Sequence, residues 1–177
     1  VVPGPPAITQ TILSSSDVTP TQVVDVGCNV PDAFGNPVTG FDTYFSVTPA
    51  NGSEPALYGV TQDTSGFSAT GAGYLYVVCG VTGYDAEDET PPLLTVHPGL
   101  PFVWASNLLE QDCYWEGRSF PLTAAVYDFW GNEVRDADVQ VSSTPAGAVV
   151  ESEPGVFQIA AEGDFDIVAS VVGPYHS

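Results

Sequence analysis

Few side chains in this sequence are capable of chemistry. It has three cysteines, Cys28, Cys79 and Cys113, and two histidines, His97 and His176. Nucleophilic catalysis needs a histidine set against a serine or cysteine. His97 lies in a proline- and glycine-rich stretch, His176 is the penultimate residue, and neither has a glycine-framed serine nearby. Structural zinc needs Cys and His in clusters, and here they are scattered. There is no lysine, which removes Schiff-base chemistry, a phosphate-loop lysine and a Lys–Asn isopeptide staple. No glycine-rich loop follows a strand and opens a helix, as phosphate cradling requires. The residues therefore read as those of a protein that is not an enzyme.

Carboxylates are the abundant reactive group. There are 22 acidic residues against two arginines, Arg118 and Arg135, for a net charge of −20. They are densest in two places. One is a loop holding Asp85, Glu87, Asp88 and Glu89; the other is an alternating ladder, Glu162, Asp164 and Asp166. Hard oxygen ligands at such density suit calcium. The loop lacks the Asp-x-Asp-x-Asp-Gly spacing, and the alternative is a solvated charge run. No other cofactor is expected. The charge repels a phosphate backbone and an anionic bilayer, so neither nucleic acid nor a membrane is an expected partner. The acidity itself suits solubility and self-repulsion, or a salty or calcium-rich exterior. No stretch approaches the ~18 apolar residues of a membrane span.

The elements that carry these residues are strands. Eighteen glycines and 16 prolines punctuate the chain, helical apolar periodicity is absent, and an all-β protein remains. Val24, Val26, Cys28 and Val30 alternate along one strand, and Leu75, Val77, Cys79 and Val81 along another. This is the two-residue period of half-buried strands. The sequence also resembles itself. Cys28–Val38 matches Ala124–Val134, and Ser46–Ala50 matches Ser142–Ala146 at the same offset. Gly73–Gly83 matches Gly163–Gly173 at an offset six residues shorter, as a loop difference would produce. A period of roughly 90 residues is too long for a solenoid unit and fits one small sandwich. Two tandem domains are expected, residues 1–98 and 99–177. In the second, Leu122, Ala124 and Val126 take the first strand's positions, and Phe165, Ile167, Ala169 and Val171 the other's.

In this alignment Cys28 falls on Ala124 and Cys79 on Ala169, so both cysteines become alanine together. Joint loss is what a bonded pair predicts. A Cys28–Cys79 disulfide would stabilise the first domain by roughly 4 kcal/mol and place the protein in an oxidising compartment. The alternative is two buried free thiols. Cys113 has no partner in the chain; it is free, bonds a cysteine elsewhere, or bridges two molecules.

After the first of these strands comes Asp32, Gly35, Asn36, Val38, and in the second copy Asp128, Gly131, Asn132, Val134. An alternating strand follows: Thr43, Phe45, Val47. This Asp-x-x-Gly-Asn-x-Val phrase resembles the bacterial immunoglobulin-like repeats of invasin- and intimin-type surface proteins, over nearly the whole chain. The resemblance implies tandem immunoglobulin-like β-sandwiches serving as stalks, spacers, adhesive tips or accessory domains of secreted enzymes, and it implies no catalysis. Physically, the phrase is a turn: Gly-Asn would supply positive φ, and the aspartate would cap it.

Expectations for binding are sparser. Tyr74 and Tyr76 point away from the core face of their strand, and Trp104, Tyr114 and Trp115 lie in the lead-in to the second domain. Tyr and Trp favour interfaces, although they also suit packing between domains. Asn51-Gly52-Ser53 fits a glycosylation sequon. The second domain stops just after the strand matching Gly73–Gly83, so its last strand looks absent. A donor is then conceivable, and Ala7–Leu13 is the candidate. The leading function is a structural or adhesive module of a secreted or cell-surface protein, whose partners would be surface protein, glycan or copies of itself. A strand-donating filament, pilus or surface-layer subunit is the alternative. Accessory domains of a larger secreted enzyme are a third reading.

Overall fold

The computed structural model describes residues 3–106 and 116–172. Its regular elements are strands, apart from one short helical turn at Pro55–Tyr58, and the chain divides into two compact units, Val1–Pro98 and Gly99–Ser177.

The first unit has eight strands: β1 (Gln10–Leu13), β2 (Asp17–Val18), β3 (Val24–Asn29), β4 (Thr43–Pro49), β5 (Thr61–Gln62), β6 (Gly66–Ser68), β7 (Gly73–Val81) and β8 (Leu93–Val96). They form two four-stranded sheets, ordered β1-β3-β6-β5 and β2-β8-β7-β4. The first strand switches sheets: β1 runs antiparallel to β3, then β2 crosses over to lie parallel to β8. This is an immunoglobulin-like sandwich. Its core follows from the alternation in sequence. Val24, Val47, Phe67, Leu75, Val77, Leu94 and Val96 form one buried cluster. Each such side chain contributes about 1.5–3 kcal/mol of burial.

Cys28 on β3 and Cys79 on β7 form a disulfide that joins the two sheets, with their Cα atoms 5.9 Å apart. Phe45 stands opposite Cys79 on β4. In the second unit Val141 stands opposite Ala169, so the alanine occupies the place in the ladder that the cysteine holds in the first.

The N-terminal segment is not free to act as a donor, contrary to the expectation from sequence. Gln10–Leu13 already pairs with Val26–Asn29. Two buried threonines tie it to the opposite sheet. The Thr9 hydroxyl donates to the Cys79 carbonyl at 2.7 Å, and the Cys79 N–H donates to Thr11 Oγ1 at 3.0 Å. The segment completes its own domain because these partners lie in the same chain, at an effective concentration no second molecule matches.

The second unit has seven strands: β9 (Pro101–Ser106), β10 (Ser119–Pro121), β11 (Ala124–Asp128), β12 (Asp138–Thr144), β13 (Val149–Glu153), β14 (Val156–Ile159) and β15 (Asp166–Val172). β9 pairs with β11, β10 with β14 and β14 with β13, and β12 with β15. Phe120, Phe157 and Ile159 form its buried centre, with Leu122, Val141, Val149, Phe165 and Ile167 packed against them. The reading that this domain lacks its last strand concerns residues 173–177, which lie outside the described residues. Among the described residues no helix is long and apolar enough to cross a membrane.

Candidate interaction surface

The Asp-x-x-Gly-Asn phrase builds the same loop twice, and the loop is a clasp more than a simple turn. Asp32 is 3% exposed and Asp128 1%. Oδ1 of Asp32 accepts the N–H groups of Phe34 and Asn36, both at 2.9 Å. Oδ2 accepts the Asn36 side-chain amide at 3.0 Å and the N–H of Gly4 at 2.9 Å. Asp128 repeats every contact, with Trp130 and Asn132 N–H at 2.9 Å, the Asn132 amide at 2.8 Å and the Gly99 N–H at 2.7 Å. A carboxylate that accepts several N–H groups is favoured in its charged form. The Asn36 amide and the Gly4 N–H hold Asp32 far below the usual carboxylate range. At Asp128 burial is the largest single influence and pushes the pKa upward, but the Asn132, Gly99 and Trp130 hydrogen bonds together outweigh it, and the net shift is downward.

Only the glycine of the Gly-Asn pair is left-handed, with φ +81° at Gly35 and +86° at Gly131. The asparagine contributes its side-chain amide, not a positive φ. The distant partner, Gly4 or Gly99, escaped the reading of the turn. It sits in a Pro-Gly-x-Pro stretch that also occurs twice, Pro3–Pro6 and Pro98–Pro101, and that recurrence was the available signal.

The first unit presents one sheet face of unusual composition. The outward residues of β4 are Tyr44, Ser46 and Thr48; those of β7 are Tyr74, Tyr76, Val78 and Gly80; those of β8 are Leu93 and Thr95. Register sets Ser46 beside Val78, Thr48 beside Tyr76 beside Leu93, and Tyr74 beside Thr95. None of these carries a charge, in a chain of net charge −20; carboxylates stand at the sheet's edges, with Asp17 of β2 beside Thr95 and Glu87 at the Tyr44 hydroxyl. Tyr44, Tyr74, Tyr76 and Leu93 are all exposed. Tyr44 is held in place. Its ring lies over Gly80, where an added Cβ would fall 2.6 Å from the ring, and its hydroxyl donates to Glu87 at 2.7 Å. That hydrogen bond, with burial and the carboxylates of Glu87 and Asp85, raises the tyrosine pKa. Such a surface offers phenol and hydroxyl groups as donors and acceptors on rigid rings that lose little entropy on binding.

The other candidates are dispersed. In the acidic loop, Asp88 is buried and accepts the Thr11 N–H at 2.6 Å and the Thr90 N–H at 3.0 Å; Glu87 serves Tyr44; Asp85 and Glu89 are exposed. Asp88 thus pins the first strand. Residue type alone does not mark this one member of the acidic run as buried. Glu162, Asp164 and Asp166 are exposed. Among the described residues no three His, Cys, Asp or Glu side chains gather as metal ligands. Asn51 accepts the Ser53 N–H and hydroxyl at 3.1 and 2.7 Å, and its amide reaches the Tyr58 hydroxyl at 3.0 Å.

His97 meets Asp17 at 3.2 Å, and Ser16 donates to the other oxygen of that carboxylate at 2.7 Å. The Ser16 and His97 bonds lower the Asp17 pKa. The order is Ser–Asp–His, so the hydroxyl faces a carboxylate rather than an imidazole base, which is not the arrangement that activates a serine. Trp104 lies on β9 with its side chain outside the described set, and Cys113, Tyr114 and Trp115 lie outside the described residues altogether.

No protein-family profile and no curated protein sequence matches this chain. Solved structures do. The Escherichia coli adhesin FdeC superposes with a TM-score of 0.50 at 20% identity, over 94% of this chain and 60% of the FdeC structure. Yersinia pseudotuberculosis InvD gives 0.47 at 14% identity, over 94% of this chain and 56% of InvD. Domains 1–6 of the surface layer protein SbsC give 0.34 at 17% identity, over 95% of this chain and 27% of SbsC. The likeness to FdeC is one of fold, and this chain spans about three fifths of that structure.

Proposed function

We propose that this chain is a non-catalytic adhesive module of a secreted or cell-surface protein, and that it binds through the Tyr44–Tyr74–Tyr76 face of its first domain. The observation that carries the proposal is the chemistry of that face. On a chain so acidic, charged side chains would be the ordinary occupants of an exposed sheet surface, since they keep sheets soluble. On β4, β7 and β8 tyrosine, serine and threonine stand there instead, the composition of a binding surface, and Asp17 stands at the β2 edge. The inter-sheet disulfide supports an oxidising, extracellular setting. FdeC, which shares the fold, is an adhesin. The partner is a surface protein or a glycan with an uncharged contact patch.

The test immobilises the chain on beads and measures retention on arrays of glycans and extracellular proteins. Wild type is compared with a Tyr74→Asp/Tyr76→Asp variant. The expected result is selective retention on one class of target, lost in the variant while its melting temperature is unchanged. Equal retention of both proteins on every target would overturn the proposal.

A further inference from the structure

The second domain carries an aromatic cluster that its core does not use. Phe102 on β9 and Phe129 in the clasp loop are 69% and 66% exposed, and Trp130 beside them is 42% exposed. The three rings touch. Phe102 and Phe129 meet edge to face with centroids 5.1 Å apart, and Phe129 and Trp130 do so at 5.3 Å. The clasp fixes the cluster in place. Asp128 bonds both the Trp130 and the Gly99 N–H, and the indole lies close enough to Gly99 that an added Cβ there would sit 3.2 Å from Cζ3. At the places of Phe102 and Phe129 the first domain has Ala7 and Ala33, and at the place of Trp130 it has Phe34. The fold therefore does not require the cluster. Three exposed rings cost solubility without a return in packing, so a contact accounts for them better than stability does.

We propose that Phe102, Phe129 and Trp130 form a docking site for a cationic, partly apolar polypeptide segment, one that presents arginine or lysine between aliphatic residues. Rings packed edge to face leave ring faces open, and these carry the negative lobe of the aromatic quadrupole, which attracts guanidinium and ammonium groups. Long-range charge acts in the same direction. The chain carries −20; Glu133 next to the loop is paired with Arg135 at 3.0 Å, so the attraction comes from the chain as a whole. An anionic ligand is repelled. A second copy of this chain is a poor occupant, since it shares the same charge and has only Arg118 and Arg135 to offer.

The test titrates a short alternating Arg–Leu peptide into the whole chain at about 1 M salt, where the Debye length is about 3 Å and general attraction to an acidic protein is screened. Wild type is compared with Phe129→Ser and with Phe102→Ser/Phe129→Ser/Trp130→Ser. An alternating Gln–Leu peptide and a neutral oligosaccharide serve as competing probes. The expected result is a severalfold loss of affinity in the single variant and about tenfold or more in the triple variant, with Gln–Leu at least tenfold weaker than Arg–Leu on wild type. The single variant changes one exposed ring and keeps the test readable if the triple variant folds poorly. The proposal is overturned if Phe129→Ser retains full affinity, if Gln–Leu binds as well as Arg–Leu, or if the oligosaccharide alone binds in a ring-dependent way.

Discussion

At matching places on one strand, the two domains differ in kind. The outward residues at the start of β7 are Tyr74 and Tyr76. Their counterparts leading into and opening β15 are Asp164 and Asp166. The register supports the match: Tyr76 stands opposite Thr48 and Asp166 opposite Thr144, and each threonine precedes a proline. The inward residues and the clasp are held in common, with an aspartate accepting the N–H of a glycine 28 or 29 residues away. The inter-sheet disulfide belongs to the first domain, where the second has alanines. The frame thus tolerates neutral tyrosines or paired aspartates on its outer face, because that face does not support the core. What stands there answers to solvent or to a partner.

The largest expected effect breaks the comparison at the disulfide. It closes a separation of 51 residues, and its loss costs about 4 kcal/mol in the chain-entropy model. Reductant, or Cys28→Ala/Cys79→Ala, lowers the unfolding transition of the first domain in calorimetry and leaves that of the second where it was. A common shift of both transitions would show that the domains do not unfold separately.

Next is the clasp. Asp128→Ala strands buried N–H groups and costs the second domain about 3 kcal/mol. Against a typical total of about 5–15 kcal/mol, this is a large share for a domain without a disulfide. Asp32→Ala acts in the same direction, and the disulfide-closed first domain stays folded. Urea midpoints of the two variants make the comparison.

Acid sharpens it. Asp32 and Asp128 have lowered pKa values in the folded chain, against about 4 when unfolded. As pH falls, the unfolded state takes up protons first, so the stability from the clasps is complete above about pH 5 and drains away below about pH 4. Urea midpoints of both domains should fall over that window. Asp32→Asn and Asp128→Asn should each flatten the dependence of their own domain only.

The smallest effect is the most diagnostic. Exchanging Tyr74 and Tyr76 for aspartate changes stability by no more than about 0.5 kcal/mol, as exposed substitutions do. A larger loss, read as a fall in melting temperature, would make these tyrosines structural.

Much of this frame was legible in the sequence. Joint replacement of Cys28 and Cys79 by alanine announced their bond, and strict alternation placed Leu75, Val77 and Val81 inward with Tyr74 and Tyr76 outward. The clasp was legible only in part. An aspartate before Gly-Asn signals a turn, but its partner on Gly4 or Gly99 is a backbone N–H, which no side-chain type reveals. Asp88 was hidden for a related reason: it binds the backbone of Thr11, 77 residues away, and its acidic neighbours mask it. Ala7–Leu13 looked like a donor strand because its alternation does not show which sheet it joins. The Thr9 and Thr11 hydroxyls, bonded to Cys79, decide that. The ring cluster of the second domain could not be assembled from Phe102 and Phe129 until β9 was paired with β11.

The most direct measurement is a reciprocal exchange of outer faces, read as adhesion of chain-coated beads to the target on which wild type is retained. Tyr74→Asp/Tyr76→Asp gives the first domain the second domain's residues, and Asp164→Tyr/Asp166→Tyr does the reverse. The account predicts that the first exchange abolishes retention at an unchanged melting temperature and that the second leaves retention intact. Retention that survives the first exchange, or that is lost only in the second, would contradict it.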